Sequence, residues 1–341
     1  MSTISIDKIY KDVLIMKKRI VCLFLLICFL LSILASCSET TDRSVRPTIR
    51  ISGAWALYPM MVVWADEYMK THDIDVEVTA GGAGKGISDV FSNQSDIGMV
   101  SRPLKQEELE QGAFYVAVAK DTVVSIINEN NPVYADIMKK GLSREDLRRI
   151  FLGEVSRWGE LFGKNIENDE IIVYGRADSS GAASVWADFL GGYTEADLQN
   201  NSDSNVSGDQ PMANSVQENA NAIGFSNVNY VFDPETGEHI ESIRPVPIDL
   251  NDNDVLDDDE NFYYNKSVFL KNVANGKYPS PPTREEYLVG NGPFEGHVKD
   301  FVIWILEDGQ SFLESNGYIG LVENERKKEL EYLIKGSRYT D

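Results

Sequence analysis

"DVEVTAGGAGKGISDVFSNQSDIGMVS", residues 75–101, decides the fold. Residues 75–80 alternate polar and apolar, as a half-buried strand does, and "GGAGKG" (81–86) follows. "ISDVFSN" has helical spacing, and "DIGMVS" returns as a second strand. Strand, small-residue turn, helix, strand is a βαβ unit and implies a parallel pair. On the N-terminal side, "IRISGAW" reads as a strand. "YPMMVVWADEYMKTH" reads as a helix with Pro59 at its start and Met60, Val63, Trp64 and Tyr68 on one stripe. The whole is βαβαβ, hence a mostly parallel sheet in an α/β fold.

The pattern continues C-terminally. "FYVAVAKDTVVSIIN" (114–128) is an apolar β run long enough to leave one lobe and enter a second. "SREDLRRIFLGEVSRWGEL" (143–161) predicts a helix with Ser143 as N-cap and Glu145 and Asp146 in its first turn. "EIIVYGRADSSGAASVWADFLGG" (170–192) repeats strand, small-residue turn, helix. "ANAIGFSNVNYV" (220–231) reads as a returning strand, "TREEYLVGNGP" (283–293) as a late strand, and "HVKDFVIWILEDGQSFLESNGYIGL" (297–321) as an amphipathic helix.

Composition and termini bound the function. The run from Met16, "MKKRIVCLFLLICFLLSILASC", has a basic head, an apolar stretch and small residues before Cys37, the plan of an export signal. The apolar stretch is shorter than the ~20 residues that span a bilayer. "LASC" (34–37) resembles the bacterial lipobox, which implies cleavage before Cys37 and lipid on that residue, and Met16 is a better start than Met1. Cys22 and Cys28 fall in the leader, so the mature chain has no free thiol and no disulfide. Residues 38–48 read as a polar tether. The leader carries a net +3, so its removal takes the net charge from −22 to −25. So acidic a chain would be repelled by nucleic acid.

Three turns share one form: "SGAWALYP" (52–59), "AGGAGKG" (80–86) and "GRADSSGAAS" (175–184). In open α/β sheets ligands sit beyond the strands' carboxyl ends, where helix starts present unpaired N–H groups and partial positive charge. A nucleotide P-loop is excluded. Five residues before Gly84 stands Thr79, and Gly86 follows Lys85 where Ser or Thr is required. An anion cradle of another kind fits better than a flexible turn.

These pieces, with "LRRIFLGEVSRW" (147–158) and "NAIGFSNVNYV" (221–231), resemble the substrate-binding proteins of bacterial phosphate ABC transporters, in the type II periplasmic binding superfamily. The resemblance covers most of residues 50–232. It implies two α/β lobes with mixed sheets, residues 49–122 and 266–341 forming one and 123–265 the other. It implies phosphate or a similar oxyanion held, desolvated, in the cleft between them, and lobes that close like a hinge. It implies a monomer that passes its ligand to a membrane permease driven by a separate ATPase, and no chemistry of its own. The ligand positions it carries over are Ala56, Leu57, Tyr58, Ala83, Gly84, Ser101, Arg176, Ser180, Gly181 and Ala182.

Several of these depart from the family pattern. Leu57 replaces a threonine, Ala83 a serine, Ser101 an acid and Ala182 a threonine. Each lost charge-assisted bond is worth about 1.5–3 kcal/mol. The acid matters most: it accepts the proton of monohydrogen phosphate and repels sulfate, which has none. Arg102 and Lys85 are candidate compensating charges, and Asp178 is placed to orient Arg176. Removing Arg176 is expected to end binding with little loss of fold. A binding protein for another oxyanion, or a sensory or scaffold protein that kept the fold and lost phosphate, are the alternatives.

"DLNDNDVLDDDE" (249–260) fits a calcium loop, with Asp249, Asn251, Asn253, Val255, Asp257 and Glu260 at positions 1, 3, 5, 7, 9 and 12. Asp254 stands where glycine is usual, and an acidic surface loop is the plainer reading. A structural calcium is thus the one candidate cofactor. His72, His239 and His297 are scattered, and no catalytic motif is present.

Overall fold

The β-branched run Thr48–Gly53 forms β1, and Asp75–Ala80 forms β2 parallel to it, with Ile51 opposite Val78. Between them α1 (Tyr58–Met69) carries Pro59 in its first turn, where a missing N–H costs no hydrogen bond. It buries Met60, Met61, Trp64, Ala65 and Tyr68. Then α2 (Ala83–Phe91) leads into β3 (Ile97–Val100), also parallel to β1. This is the βαβαβ unit that residues 48–100 predict. A short α3 (Gln106–Glu110) precedes β4 (Ala113–Asn128), a strand of 16 residues. The computed structural model describes residues 46–338, with Met16, Lys17 and Arg19 of the leader. The body, Pro47–Asp341, separates from the leader at Arg46. Apart from those three residues, the expected export signal, with Cys37 and residues 38–45 of the expected tether, lies outside the described residues. Among the described residues no helix is long and apolar enough to cross a membrane.

The chain continues through α4 (Tyr134–Lys140), β5 (Leu142–Ser143), α5 (Arg144–Phe151) and α6 (Trp158–Leu161). Next come β6 (Ile172–Arg176), α7 (Gly181–Gly191), α8 (Glu195–Asn201), β7 (Ser204–Val206), α9 (Asp209–Glu218) and β8 (Ala222–Asn227). Then follow β9 (Ile243–Pro245), β10 (Ile248–Asp249), α10 (Lys266–Ala274), β11 (Thr283–Asn291), α11 (Gly296–Leu306) and α12 (Glu323–Lys335). Two helices are shorter than their periodicity predicts. Ser143 caps α5 as expected, its Oγ accepting from the Asp146 amide at 3.1 Å, but the helix ends at Phe151 and Gly153 turns the chain at φ +69°. The late helix stops at Leu306, where Glu307 leaves helical geometry at φ −103° and ψ −88°, and gives way to 3₁₀ turns whose Gly309 carbonyl accepts from Trp64 Nε1 at 2.8 Å.

The fold is mixed α/β. Its main sheet runs β2-β1-β3-β11-β4-β8-β6-β7, with β9 also on β4. The first half of β4 pairs antiparallel with β11, and its second half with β8 and β9. Two hydrophobic cores hang on this one strand. Phe114, Val116 and Val118 pack with Trp64, Met99 and Phe301, while Val123, Val124 and Ile126 pack with Phe151, Trp186 and Phe225. Phe269 and Val273 of α10, and Tyr278 after it, belong to the second core. The carboxyl ends of β1, β3 and β6 and the head of β11 meet where these cores adjoin, and there the candidate site lies.

Candidate functional site

Four helix starts surround one small cavity. Ala54, Trp55 and Ala56 come from the turn before α1, Gly82 and Ala83 from α2, Ser180, Gly181 and Ala182 from α7, and Asp209 from α9. Ser101, Arg176 and Arg284 complete the lining. The first-turn amides of α2 and α7 have no intrahelical partner, so the cavity lies at the positive ends of several backbone dipoles. Ser180 is the N-cap of α7. Its Oγ accepts from the Ala183 amide at 3.2 Å, which leaves its hydroxyl proton to donate. The Ser180 amide donates to Glu195 at 3.0 Å, and burial raises the Glu195 carboxyl above its ordinary value.

Two buried guanidinium groups reach the cavity. Arg176 ends β6 and is forked onto Asp178, Nε to Oδ1 and Nη2 to Oδ2, both at 2.8 Å. Asp178 thus orients Arg176, as the sequence suggests. Arg176 Nη1 lies 3.2 Å from Asp209 Oδ2, but neither atom has a hydrogen-bond partner. Burial works to lower the Arg176 pKa, yet the Asp209 and Asp178 charges outweigh it and hold the group above its ordinary value. Arg284, in β11, forks onto Asp121 of β4 at 2.7 and 3.0 Å and leaves its own Nη1 unpartnered. Glu286 lies 3.5 Å from Arg284 Nε. Burial, with the Asp121 charge beside it, pushes the Glu286 carboxyl well above the usual carboxylate range. This favours the neutral form of Glu286 and leaves less negative charge beside Arg284. Trp55 Nε1 is a further buried donor without a partner.

The residues singled out in the sequence divide into two groups. Ala56, Ala83, Ser101, Arg176, Ser180, Gly181 and Ala182 line the cavity, while Leu57, Tyr58 and Gly84 do not. Leu57 is fully buried in the core beneath α1. Arg102 is no compensating charge: it is buried and forked onto Glu108 at 2.9 and 2.6 Å. Lys85 is half exposed and pairs with Asp89 one turn along its own helix. The glycine run also works differently from an amide cradle. The Gly81 and Gly82 amides both donate to the Gly53 carbonyl at 3.0 Å, and the Gly84 amide donates to the Ser179 carbonyl at 3.3 Å. The glycines serve close approach instead. A Cβ on Gly82 would stand 2.7 Å from the Ser179 carbonyl, and one on Gly84 2.4 Å from Ser179 Oγ.

Sequence reading missed Asp209 and Arg284. Asp209 had a signal: "SNVSGDQP" (204–211) is a fourth strand, glycine turn and helix start, hidden because its strand has only three residues. Arg284 had none, since an antiparallel crossing brings it to the cavity.

The acidic loop closes on itself. Asp249 accepts from the Asn253 and Asp254 amides, and Glu260 from the Leu250 and Asp257 amides. Asn251 and Asn253 donate their side-chain amides to Asp257, and Val255 is exposed. Asp254 makes the sharp turn at φ +61°, the conformation that glycine usually supplies. Among the described residues no group of three His, Cys, Asp or Glu side chains is gathered to hold a metal ion.

Comparison with known proteins gives concordant results. A relative described as phosphate-binding protein PstS, from Bacillus subtilis (strain 168), is 25% identical over 325 residues, covering 90% of this chain and 96% of its own. PstS of Staphylococcus saprophyticus is 24% identical, covering 86% and 88%. Among solved structures, one from Clostridium perfringens, described as a phosphate ABC transporter substrate-binding protein with bound phosphate, superposes with a TM-score of 0.64 at 28% identity. It covers 80% of this chain and 99% of that one. An ABC-type phosphate transport receptor from Vibrio cholerae shares the fold, with a TM-score of 0.56 at 22% identity and coverage of 80% and 100%. The family model of the PBP superfamily domain matches residues 38–308. With the βαβαβ unit and the shared strand β4 already in place, this match over most of the chain means that it belongs to the PBP superfamily.

Proposed function

We propose that the chain is the substrate-binding protein of an ABC importer and captures inorganic phosphate in the cavity at residues 54–56, 82–83, 101, 176, 180–182, 209 and 284. One observation carries the reading. Two buried guanidinium groups reach a cavity walled by helix starts: Arg284 brings an unpartnered Nη1, and Arg176 an Nη1 held only by the ion pair to Asp209 Oδ2 at 3.2 Å. A buried donor without a partner costs about 1–3 kcal/mol, and more when charged, and an oxyanion would supply what these donors lack. Where the resemblance expects hydroxyls, Ala83 and Ala182 offer none. Arg284 Nη1 and Trp55 Nε1 are donors that can stand in for them.

In this reading the two cores are the lobes. Residues 49–122 with β11 onward form one, and 123–265 the other. The stretch 266–282 moves with the second, since Phe269, Val273 and Tyr278 pack there. β4 and β11 are the shared strands about which the lobes hinge. The protein is monomeric, is exported, carries lipid on Cys37, and delivers its anion to a permease served by a separate ATPase. The acidic loop needs no calcium, because its own amides already fill the Asp249 and Glu260 carboxylates. Calcium that raised the melting temperature would revise that last point.

The test is titration calorimetry and thermal shift with phosphate, arsenate, sulfate and molybdate. A hundredfold excess over Kd should raise stability by about 2.7 kcal/mol. Preference for an anion other than phosphate would reassign the cargo. No response to any anion would favour a scaffold that kept only the fold.

A further inference from the structure

We propose that the groove between α10 and residues 314–320 is a second ligand site, with Lys266 as its cation, for a small organic acid that carries one carboxylate on an apolar body. The proposal stands apart from the anion-capture reading above.

The groove holds about 690 Å³, a size typical of small-molecule sites. Lys266 lines it from the first position of α10 and is only 7% exposed. Lysine is seldom buried so far without a counter-charge. Among the described residues its Nζ has neither a hydrogen bond nor an ion pair. Asp233 is the acid whose charge acts on it, but Asp233 Oδ1 is spent on the Glu235 and Thr236 amides at 3.0 and 2.7 Å. Burial lowers the Lys266 pKa despite that charge. The helix gives no relief either, because Lys266 stands at the positive end of α10, where the backbone dipole favours an anion. Asn229 meets Lys266 over Gly317: a Cβ there would stand 2.2 Å from Lys266 Nζ and 2.3 Å from Asn229 Oδ1. Neither Asn229 Oδ1 nor its Nδ2 has a hydrogen-bond partner. A buried cation, a helix start and an unmet side-chain amide thus adjoin, and a carboxylate would supply the charge and the acceptors they lack. The rest of the lining sets the ligand's body. Leu270, Ala274, Tyr318 and Ile319 offer it an apolar surface. Glu235 and Glu314 line the same groove and are exposed, so a polyanion would be repelled where a single carboxylate would not.

The experiment is titration calorimetry of the chain and its Lys266→Met variant with hexanoate, 1-hexanol and hexylamine, in phosphate-free buffer and again with phosphate added. Methionine keeps the length of the side chain and removes its charge. The wild type should bind hexanoate about tenfold or more tightly than hexanol, and the variant should lose that preference. The unliganded variant should melt at or above the wild-type temperature, since an uncompensated buried charge is gone. Equal affinity for acid and alcohol in the wild type, tighter binding of the amine, or no binding of any of the three would overturn the proposal. So would a preference for the acid that survives in Lys266→Met, and if added phosphate then displaces the hexanoate, the acid sits in the anion cavity instead. If that variant does not fold, Ser267→Glu decides. Ser267 is exposed, lines the groove and lies in the first turn of α10, where an acid is favoured. Its new carboxylate should compete for Lys266 and weaken hexanoate binding, and unchanged affinity would overturn the proposal.

Discussion

Gly181→Ala separates closing the cavity from folding the chain. Gly181 is the first residue of α7, in ordinary helical backbone, and alanine there is intrinsically favoured over glycine by up to about 1 kcal/mol. The obstacle lies across the cavity. A Cβ at this position would stand 2.2 Å from Ser101 Oγ, 2.5 Å from the Ser101 carbonyl oxygen and 2.8 Å from its carbonyl carbon. Ordinary contact begins near 3.5 Å. The Ser101 hydroxyl can rotate away but its backbone cannot, so the walls must part by about 1 Å. Hydrogen bonds of about 2.9 Å would stretch to nearly 4 Å and cease to act. An anion held from both walls would lose two or more charge-assisted bonds of about 1.5–3 kcal/mol each, or about a hundredfold or more in affinity. The assay is calorimetric titration with phosphate, alongside the melting temperature of the unliganded variant. The expected result is a large loss of affinity with an unliganded melting temperature at or above wild type. Affinity within about threefold of wild type would refute the reasoning, since it would mean that Ser101 and Gly181 do not come together around the ligand.

Three further outcomes follow from the charged groups. Arg176→Ala should abolish anion binding and also lower stability by about 3–5 kcal/mol, because Asp178 and Asp209 would be left buried without their cation. Denaturant melts check this, and unchanged stability would count against the buried triad. Arg284→Lys should weaken phosphate binding by about tenfold or more, since a lysine cannot both fork onto Asp121 and present a spare donor to the cavity. Calorimetric affinity equal to wild type would remove Arg284 from the site. Glu286→Gln tests the neutral carboxyl. The folded chain keeps a proton there that the unfolded chain releases above about pH 4–5, so this group's stabilisation is full at low pH and falls as pH rises. The variant should therefore be more stable than wild type at pH 8 and nearly equal at pH 4. Parallel melting curves across that range would show that Glu286 ionises normally in the fold.

Local pattern alone carried much of this protein. Residues 48–100 announce strand, helix, strand, helix, strand, because their periods switch between two and 3.6 at each run of small residues, and each switch survives in the fold. The cavity-lining turns at residues 54–56, 82–83 and 180–182 were legible for the same reason: a strand end and a helix start adjoin in the chain. The charges could not be apportioned that way. Arg102 and Lys85 look available in one dimension, but Asp89 one turn along the helix takes Lys85, and Glu108, six residues on and past a bend, takes Arg102. Arg284 looks like an ordinary strand residue until an antiparallel crossing sets it beside Asp121, 163 residues away. Asp209 looks like a first-turn acid until burial strips water from its second oxygen. Secondary structure and helix-start amides are properties of neighbours along the chain, and sequence determines them. Which cation is left without a partner and which acid lines the cavity depends on segments brought together from far apart in the chain, and only the tertiary structure decides that.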